Sequence, residues 1–234
     1  MRSILFSVCV LYGTLAIASP YDPMIDYAAR KHGVDPILLR AITAQESKKN
    51  PWTFNADGEP FQYQDKETAV RVLWSLTKAP WMTKLVTQDK QIIRRFFSNQ
   101  SAAQSWANSM QRLQIGGRSY SLTQRIDDSK DVKKGEIRVR HLRLINTDIG
   151  IAQINYRWNG QGIATVQQWF DPRFNLDYAA TRLGTLKKKH GSDLAAAGYY
   201  HSKTEKYRKK YLSDLLPRYN EEKRNASVSV AVGN

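Results

Sequence analysis

The chain has almost no cysteine. Its 234 residues contain a single cysteine, Cys9, which lies in an apolar segment at the amino terminus. One cysteine cannot form an internal disulfide or a zinc–thiolate cluster. Residues 19–234 must therefore fold around an ordinary hydrophobic core, and they are numerous enough for one domain with an elaboration.

Long apolar runs are also missing, except at the amino terminus. Arg2 is followed by a mainly apolar run from Ile4 to Ile17, and small residues precede Ala18. This order is typical of a secretory signal peptide, and the run is too short to span a bilayer. We therefore expect export to the periplasm, cleavage after Ala18 and no membrane insertion of the remaining chain.

Acidic residues are scarce, since 21 Asp and Glu face 36 Lys and Arg and give a net charge of +15. An exported basic protein commonly meets nucleic acid, anionic lipid or an acidic polymer such as the cell wall. The basic residues are spread along the chain, and no zinc-finger or RNP motif accompanies them, so we expect no nucleic-acid partner. Solvated surface is an equally good explanation of the charge.

Helical patterns dominate both ends of the chain and predict a mainly α (α+β) fold. Asp22 to Lys31 forms a first helix, and Asp35 as N-cap with Pro36 at N1 begins a second that runs to about Lys48. The helices expected near the carboxyl terminus span Thr165–Phe170, Asn175–His190, Asp193–Tyr200 and Thr204–Tyr219. Residues 220–234 are expected to form a flexible tail.

The middle of the chain gives weaker patterns. Phe61 to Tyr63 indicates a short strand, and Ile137 and Val139 alternate with arginines as in an exposed strand. Other assignments are helices over Glu67–Leu76 and Ala102–Leu113 and a loop over Gly116–Gly135.

Glu46 is the residue in the second helix whose position calls for an explanation. Leu38 and Ile42 precede it by eight and four residues, so its carboxyl projects from the face expected to be buried. Burial disfavours the charged form and raises the pKa, which would let the group donate a proton near neutral pH. The alternative is a helix-end glutamate in a solvated ion pair.

Three separated segments resemble the lysozyme-like, SLT-type lytic transglycosylases. They are Tyr27–Ser47, with Gln45-Glu46-Ser47 at its end; Gly150-Ile151-Ala152-Gln153-Ile154-Asn155; and Asp171–Leu183 followed by Ala196-Ala197-Gly198-Tyr199-Tyr200-His201. Each segment alone is a weak signal. Their common order makes the resemblance fairly specific.

The resemblance implies a lyase that cleaves the β-1,4 bond between N-acetylmuramic acid and N-acetylglucosamine and forms a 1,6-anhydro ring. Glu46 would be the single catalytic acid and base, with neither cofactor nor metal. A hydrolytic muramidase needs a second carboxylate. Asp148 and Asp57 are the candidates by motif, but each is better explained as a solvated loop residue. A catalytically idle wall-binding scaffold is the other alternative.

The resemblance also implies substrate-binding residues. Ser47 would bond the carboxyl or an acetamido group, Gln153 and Asn155 belong to the segment that reads the sugar, and the Tyr200 phenol would orient Glu46. Trp158 is the aromatic residue expected in the groove. His201 stands where the family usually has asparagine, so we treat it as structural.

The expected domain covers residues 19–219 and contains a large insertion at about residues 57–146. Gly58–Tyr63, near the start of this insertion, and the run Arg143–Trp158, which begins near its end, look like the branch associated with conjugation and type IV secretion. Peptidoglycan strands, and components of such an apparatus, are therefore the expected partners. The insertion could also act as a lid over the glycan groove.

Overall fold

The computed structural model describes residues 19–125 and 131–232. The expected signal peptide, residues 1–18, lies outside this range. Within it, no helix combines the length and the apolar composition that crossing a membrane requires.

The first two helices begin and end where their capping residues predict. Helix α1 spans Asp22–Lys31 and helix α2 spans Pro36–Ser47. The Asp35 carboxylate accepts a 2.9 Å hydrogen bond from the Ile37 amide, which caps the start of α2. Lys48, in the left-handed conformation at φ 56°, ends it.

The middle of the chain alternates strands and helices. Its elements are β1 (Thr53–Ala56), β2 (Glu59–Gln62), α3 (Lys66–Lys78), β3 (Trp81–Val86), β4 (Ile92–Phe97), α4 (Gln100–Ser109), β5 (Arg112–Ile115), β6 (Arg118–Ser121), β7 (Thr123–Arg125), β8 (Glu136–His141), β9 (Thr147–Ile149) and β10 (Ile154–Asn155). A first sheet has the order β10-β9-β1-β2, a second has the order β4-β3-β8-β7, and β5 pairs with β6 in a hairpin. The pairings are antiparallel except for β7 with β8.

Several expectations for the middle of the chain are wrong. The helix expected over Ala102–Leu113 ends at Ser109, and its last residues belong to β5. The stretch expected as a loop over Gly116–Gly135 contains β6 and β7, with residues 126–130 outside the described range. Strand β8 lies inside the second sheet with Ile137 fully buried, so it is not an exposed strand.

Helices return after β10. A π-helical turn at Tyr156–Gly160 is followed by α5 (Val166–Trp169), α6 (Pro172–His190), α7 (Asp193–His201) and α8 (Glu205–Val232). Helix α6 starts before the expected Asn175, because the Asp171 carboxylate accepts from the Arg173 and Phe174 amides.

The segment expected as a flexible tail from residue 220 is helical to Val232. Within it, Glu222 forms a 2.6 Å ion pair with Lys49, beside the end of α2. The expected boundary at residue 219 therefore falls inside α8. The last two residues, 233–234, lie outside the described range.

The hydrophobic core has two large clusters and a smaller one. The first joins α1, α2, α6, α7 and α8 and includes Ile25, Leu38, Ile42, Leu183 and Leu215. The second packs the first sheet against α3, α5 and α6 and includes Phe54, Leu76, Ile149, Trp169 and Phe170. The third, around Leu85, Tyr120 and Ile137, lies between the second sheet, α4 and the β5–β6 hairpin. The fold is mainly α with small sheets, as predicted.

Buried ion pairs join the two sheets. The Glu59 side chain, only 1% exposed, lies 3.0 Å from the Lys84 ammonium and 3.1 Å from the Arg94 guanidinium. Asp57, expected as a solvated loop residue, is buried and lies 3.1 Å from the Arg140 guanidinium. The predicted insertion at 57–146 therefore starts inside the β1–β2 hairpin of the first sheet.

Candidate functional site

Glu46 lies at the end of α2 and lines a groove of about 940 Å³. The groove runs between the first sheet with its following π-helical turn and the middle of α6 with the end of α7. Its lining comprises, besides Glu46, Asn55 and Asp148 from the first sheet, Gln153, Ile154, Asn155, Trp158 and Asn159 from β10 and its surroundings, and Arg182 and Tyr199 to Lys203 from α6, α7 and the residues after α7.

The groove brings together residues that the sequence analysis assigned from three separate segments. Glu46, Gln153, Asn155, Trp158 and Tyr200 all line it. Ser47 does not line the groove, because its side chain is buried against the Gly150 segment.

The Glu46 carboxyl has a raised pKa. Burial is the main cause and raises the pKa from its ordinary value of 4.5 to about 7, and the negative charge of Asp148 adds to the increase. The Tyr211 hydroxyl on α8 lowers it somewhat, although the two groups do not form a well-aligned hydrogen bond. Near neutral pH, the protonated and the ionised forms of Glu46 are therefore present in comparable amounts.

Ser47 has an internal role. Its hydroxyl is buried and donates to the Ile151 carbonyl oxygen at 2.7 Å, with the Thr43 carbonyl at 3.1 Å. The side chain joins α2 to the Gly150 segment rather than facing a ligand, contrary to its expected substrate contact.

Gly150 turns the chain sharply beside the groove. Its φ is +81°, and a Cβ at this position would lie 2.4 Å from the Asn175 amide nitrogen and 2.6 Å from the Trp169 carbonyl oxygen. Asn175 is completely buried on α6 and accepts from the Ala152 amide while donating to the Ile149 and Trp169 carbonyls, each at 2.9 Å. One side-chain amide therefore fixes three backbone groups around this turn.

Hydrogen bonds to backbone groups and to Asp148 orient the Gln153 and Asn155 side chains. Gln153 has a φ of +48°, and its amide nitrogen donates to the Gly150 carbonyl at 2.8 Å and to the Thr53 carbonyl at 3.2 Å. Asn155 donates to the Asp148 carboxylate at 2.8 Å and accepts from the Trp158 amide at 3.1 Å. Both side-chain amides in the groove therefore have a fixed orientation before a ligand binds.

The Tyr200 phenol does not bond Glu46 as the resemblance implied. It donates instead to the Ala152 carbonyl at 2.8 Å. Burial and the nearby negative charge of Glu46 raise the pKa of Tyr200, so the phenol stays protonated. The phenol that acts on Glu46 belongs to Tyr211, whose own pKa is raised by burial and by Glu46.

Two aromatic contacts complete the lining. Trp158 is 73% exposed and carries the Arg157 guanidinium 4.7 Å above its ring, which leaves the other ring face to solvent. The His201 ring is stacked on Tyr211, with centroids 4.3 Å apart. Burial lowers the pKa of His201, so its imidazole is neutral at pH 7.

The sequence analysis missed Tyr211 and Arg182. Tyr211 and Leu215 are four residues apart on α8 and both are buried, a spacing that could have placed Tyr211 on the inner face. Nothing in the sequence around Arg182 distinguishes it from the many solvated basic residues.

In residues 19–125 and 131–232, no three His, Cys, Asp or Glu side chains are grouped so that they could hold a metal ion. Comparison with protein families, curated proteins and solved structures gives no match for this chain. Function is therefore inferred from the residues of the groove.

Proposed function

We propose that this chain is an exported peptidoglycan lytic transglycosylase in which Glu46 is the general acid and base. The observation that carries the proposal is a partly buried carboxyl whose pKa burial raises to about 7 and which lines a groove of about 940 Å³. Ordered amides and an exposed indole, the groups that commonly contact sugars, line the same groove.

The proposed reaction needs one carboxyl group in two protonation states. Protonated Glu46 donates its proton to the glycosidic oxygen as the bond from C1 to that oxygen breaks. The Glu46 carboxylate then takes the proton of the muramyl C6 hydroxyl as that oxygen bonds to C1 and closes the 1,6-anhydro ring. A pKa near the working pH suits both steps, and no water is consumed.

A hydrolytic muramidase is the second candidate, and Asp148 is the observation that favours it. Asp148 lines the same groove and acts electrostatically on Glu46. A second carboxylate could activate water instead of leaving the attack to the C6 hydroxyl. The hydrogen bond from Asn155 orients Asp148 in either case.

Digestion of purified peptidoglycan separates the two reactions. Anhydromuropeptides are expected from the transglycosylase, and new reducing ends would instead identify a hydrolase. Asp148→Asn tests the same point, because a transglycosylase should keep most of its rate while a hydrolase using that base should lose on the order of 100-fold.

Replacement of Glu46 tests the assigned acid. Glu46→Gln should lower the rate by at least on the order of 100-fold while the protein still binds peptidoglycan. Glu67→Gln, at an exposed position on α3, is the matched control and should leave the rate unchanged. Substantial turnover by Glu46→Gln would show that another group protonates the leaving oxygen.

The proposed setting is local opening of the cell wall for a conjugation or secretion apparatus. Its support is the resemblance of the sequence around residues 57–146 to that branch. Co-purification of the full-length protein with components of such an apparatus, lost on replacing surface residues of the second sheet, is the corresponding test.

A further inference from the structure

The two sides of the groove carry opposite charge. Glu46 and Asp148 lie on the side of α2 and the first sheet, whereas Arg182 on α6 and Lys203 after α7 lie on the other. Such a division places a positive region beside the carboxyl that we assign to proton transfer.

Arg182 differs from other partly buried arginines of the protein. Arg40 forms two 2.7 Å hydrogen bonds with the Asp26 carboxylate, and Arg140 is paired with Asp57. Arg182 is also partly buried, but among the described residues no carboxylate forms an ion pair with it. Its guanidinium lies 5.5 Å from the centre of the Tyr200 ring.

The guanidinium lines the groove beside the Tyr200 ring. Its forked N–H donors match the two oxygens of a planar carboxylate.

Lys203 adds a second cation at the edge of the same side. Its side chain is exposed, and its backbone carbonyl accepts a 2.7 Å hydrogen bond from the Arg208 guanidinium. That bond anchors the backbone of the loop that follows α7, and both cations line the groove.

We propose that Arg182 and Lys203 form an anion subsite that binds a carboxylate carried by the glycan next to the cleaved bond. The inference rests on the proposed function, because it identifies which part of peptidoglycan the groove recognises. In a peptide-free strand a muramyl residue offers a free lactyl carboxylate, whereas an attached peptide converts that group to an amide and offers its own carboxylates instead. A neutral N-acetylglucosamine polymer offers none.

Calorimetric binding in the Glu46→Gln background tests this without turnover. The ligands are a neutral N-acetylglucosamine tetramer, an alternating tetrasaccharide with free lactyl carboxylates, and the same tetrasaccharide carrying peptides. Arg182→Gln should weaken binding of a carboxylate-bearing ligand about tenfold and leave the neutral tetramer within about twofold. Lys203→Gln should cause a smaller loss that fades as salt is raised.

Arg173→Gln is the matched control, since Arg173 is exposed on the same helix and does not line the groove. If Arg182→Gln weakens binding of the peptide-free charged sugar, the subsite binds the lactyl carboxylate. If it weakens binding of the peptide-bearing sugar only, the subsite binds a peptide carboxylate. Equal weakening of neutral and charged ligands, or no weakening, overturns the subsite. Selective carboxylate binding without anhydro products would refute the proposed reaction alone.

Discussion

The helical region and the strand-rich region of this protein are held together in different ways. Helices α1, α2, α6, α7 and α8 meet through apolar side chains, several of which are fully buried and each contribute about 2 kcal/mol. The second sheet, by contrast, meets the first through the buried carboxylates Asp57 and Glu59 and their basic partners, as well as through apolar contacts such as Phe61 with Phe96.

This difference determines how each region should respond to substitution. An apolar interface tolerates a lost methyl group gradually, whereas removing one partner of a buried ion pair leaves the other charge uncompensated. The groove lies where the helices meet the first sheet, and there the supporting contacts are hydrogen bonds to backbone groups.

Asn175→Ala is expected to have the largest effect on stability. It removes the three hydrogen bonds that Asn175 makes around the Gly150 turn and leaves buried backbone groups unpaired, at a cost of about 4 kcal/mol. Urea unfolding measures the loss. Asn108→Ala, at an exposed position on α4, should change the free energy of unfolding by less than about 0.5 kcal/mol, and a similar change in both variants would contradict the assigned role.

Glu59→Gln tests the junction between the sheets. The neutral amide leaves Lys84, Arg94 and Arg140 without that carboxylate, and we expect a loss of about 3 kcal/mol in the free energy of unfolding. The loss should persist in high salt, because the carboxylate is buried. A wild-type free energy of unfolding would show that the junction depends on other contacts.

Glu46→Gln should stabilise the protein in alkaline solution. Because the folded pKa lies above the unfolded value, the native state keeps a proton that the unfolded chain releases between pH 4.5 and about 7. The free energy of unfolding should therefore fall by about 2 kcal/mol between pH 5 and pH 8 in the wild type. The variant should lack this loss, as urea titrations at the two pH values would show.

Tyr211→Phe and Tyr200→Phe should produce the smallest and most easily distinguished effects. The Tyr211 hydroxyl lowers the pKa of Glu46, so its removal should raise that pKa and move the alkaline limb of the pH–rate profile to higher pH. Tyr200→Phe loses a bond to the Ala152 carbonyl and should cost about 1 kcal/mol of stability. If Tyr200→Phe moved the limb and Tyr211→Phe did not, the roles assigned to the two phenols would be reversed.

The same contrast explains what the sequence could predict. Local signals set the start of α2, because Asp35 and Pro36 act within one helical turn. The inward position of Glu46, which is partly buried, followed from helical spacing alone. Local signals did not identify β3 and β4, which the sequence analysis left unassigned, because strand pairing joins β3 to β8, more than forty residues away in the chain. The action of Tyr211 on Glu46 likewise depends on how α8 packs against α2.

Helix α8 makes the environment of Glu46 depend on residues that are far from it in the sequence. Tyr219 donates to the Asp35 carboxylate at 2.7 Å, and Glu222 reaches Lys49, so both ends of α2 are tied to α8. A chain truncated before Glu205 lacks these ties and the Tyr211 phenol, so we expect water to reach the Glu46 carboxyl and its pKa to move back toward that of a solvated glutamate. Under the proposed function, this truncated form should therefore lack the general acid and be inactive.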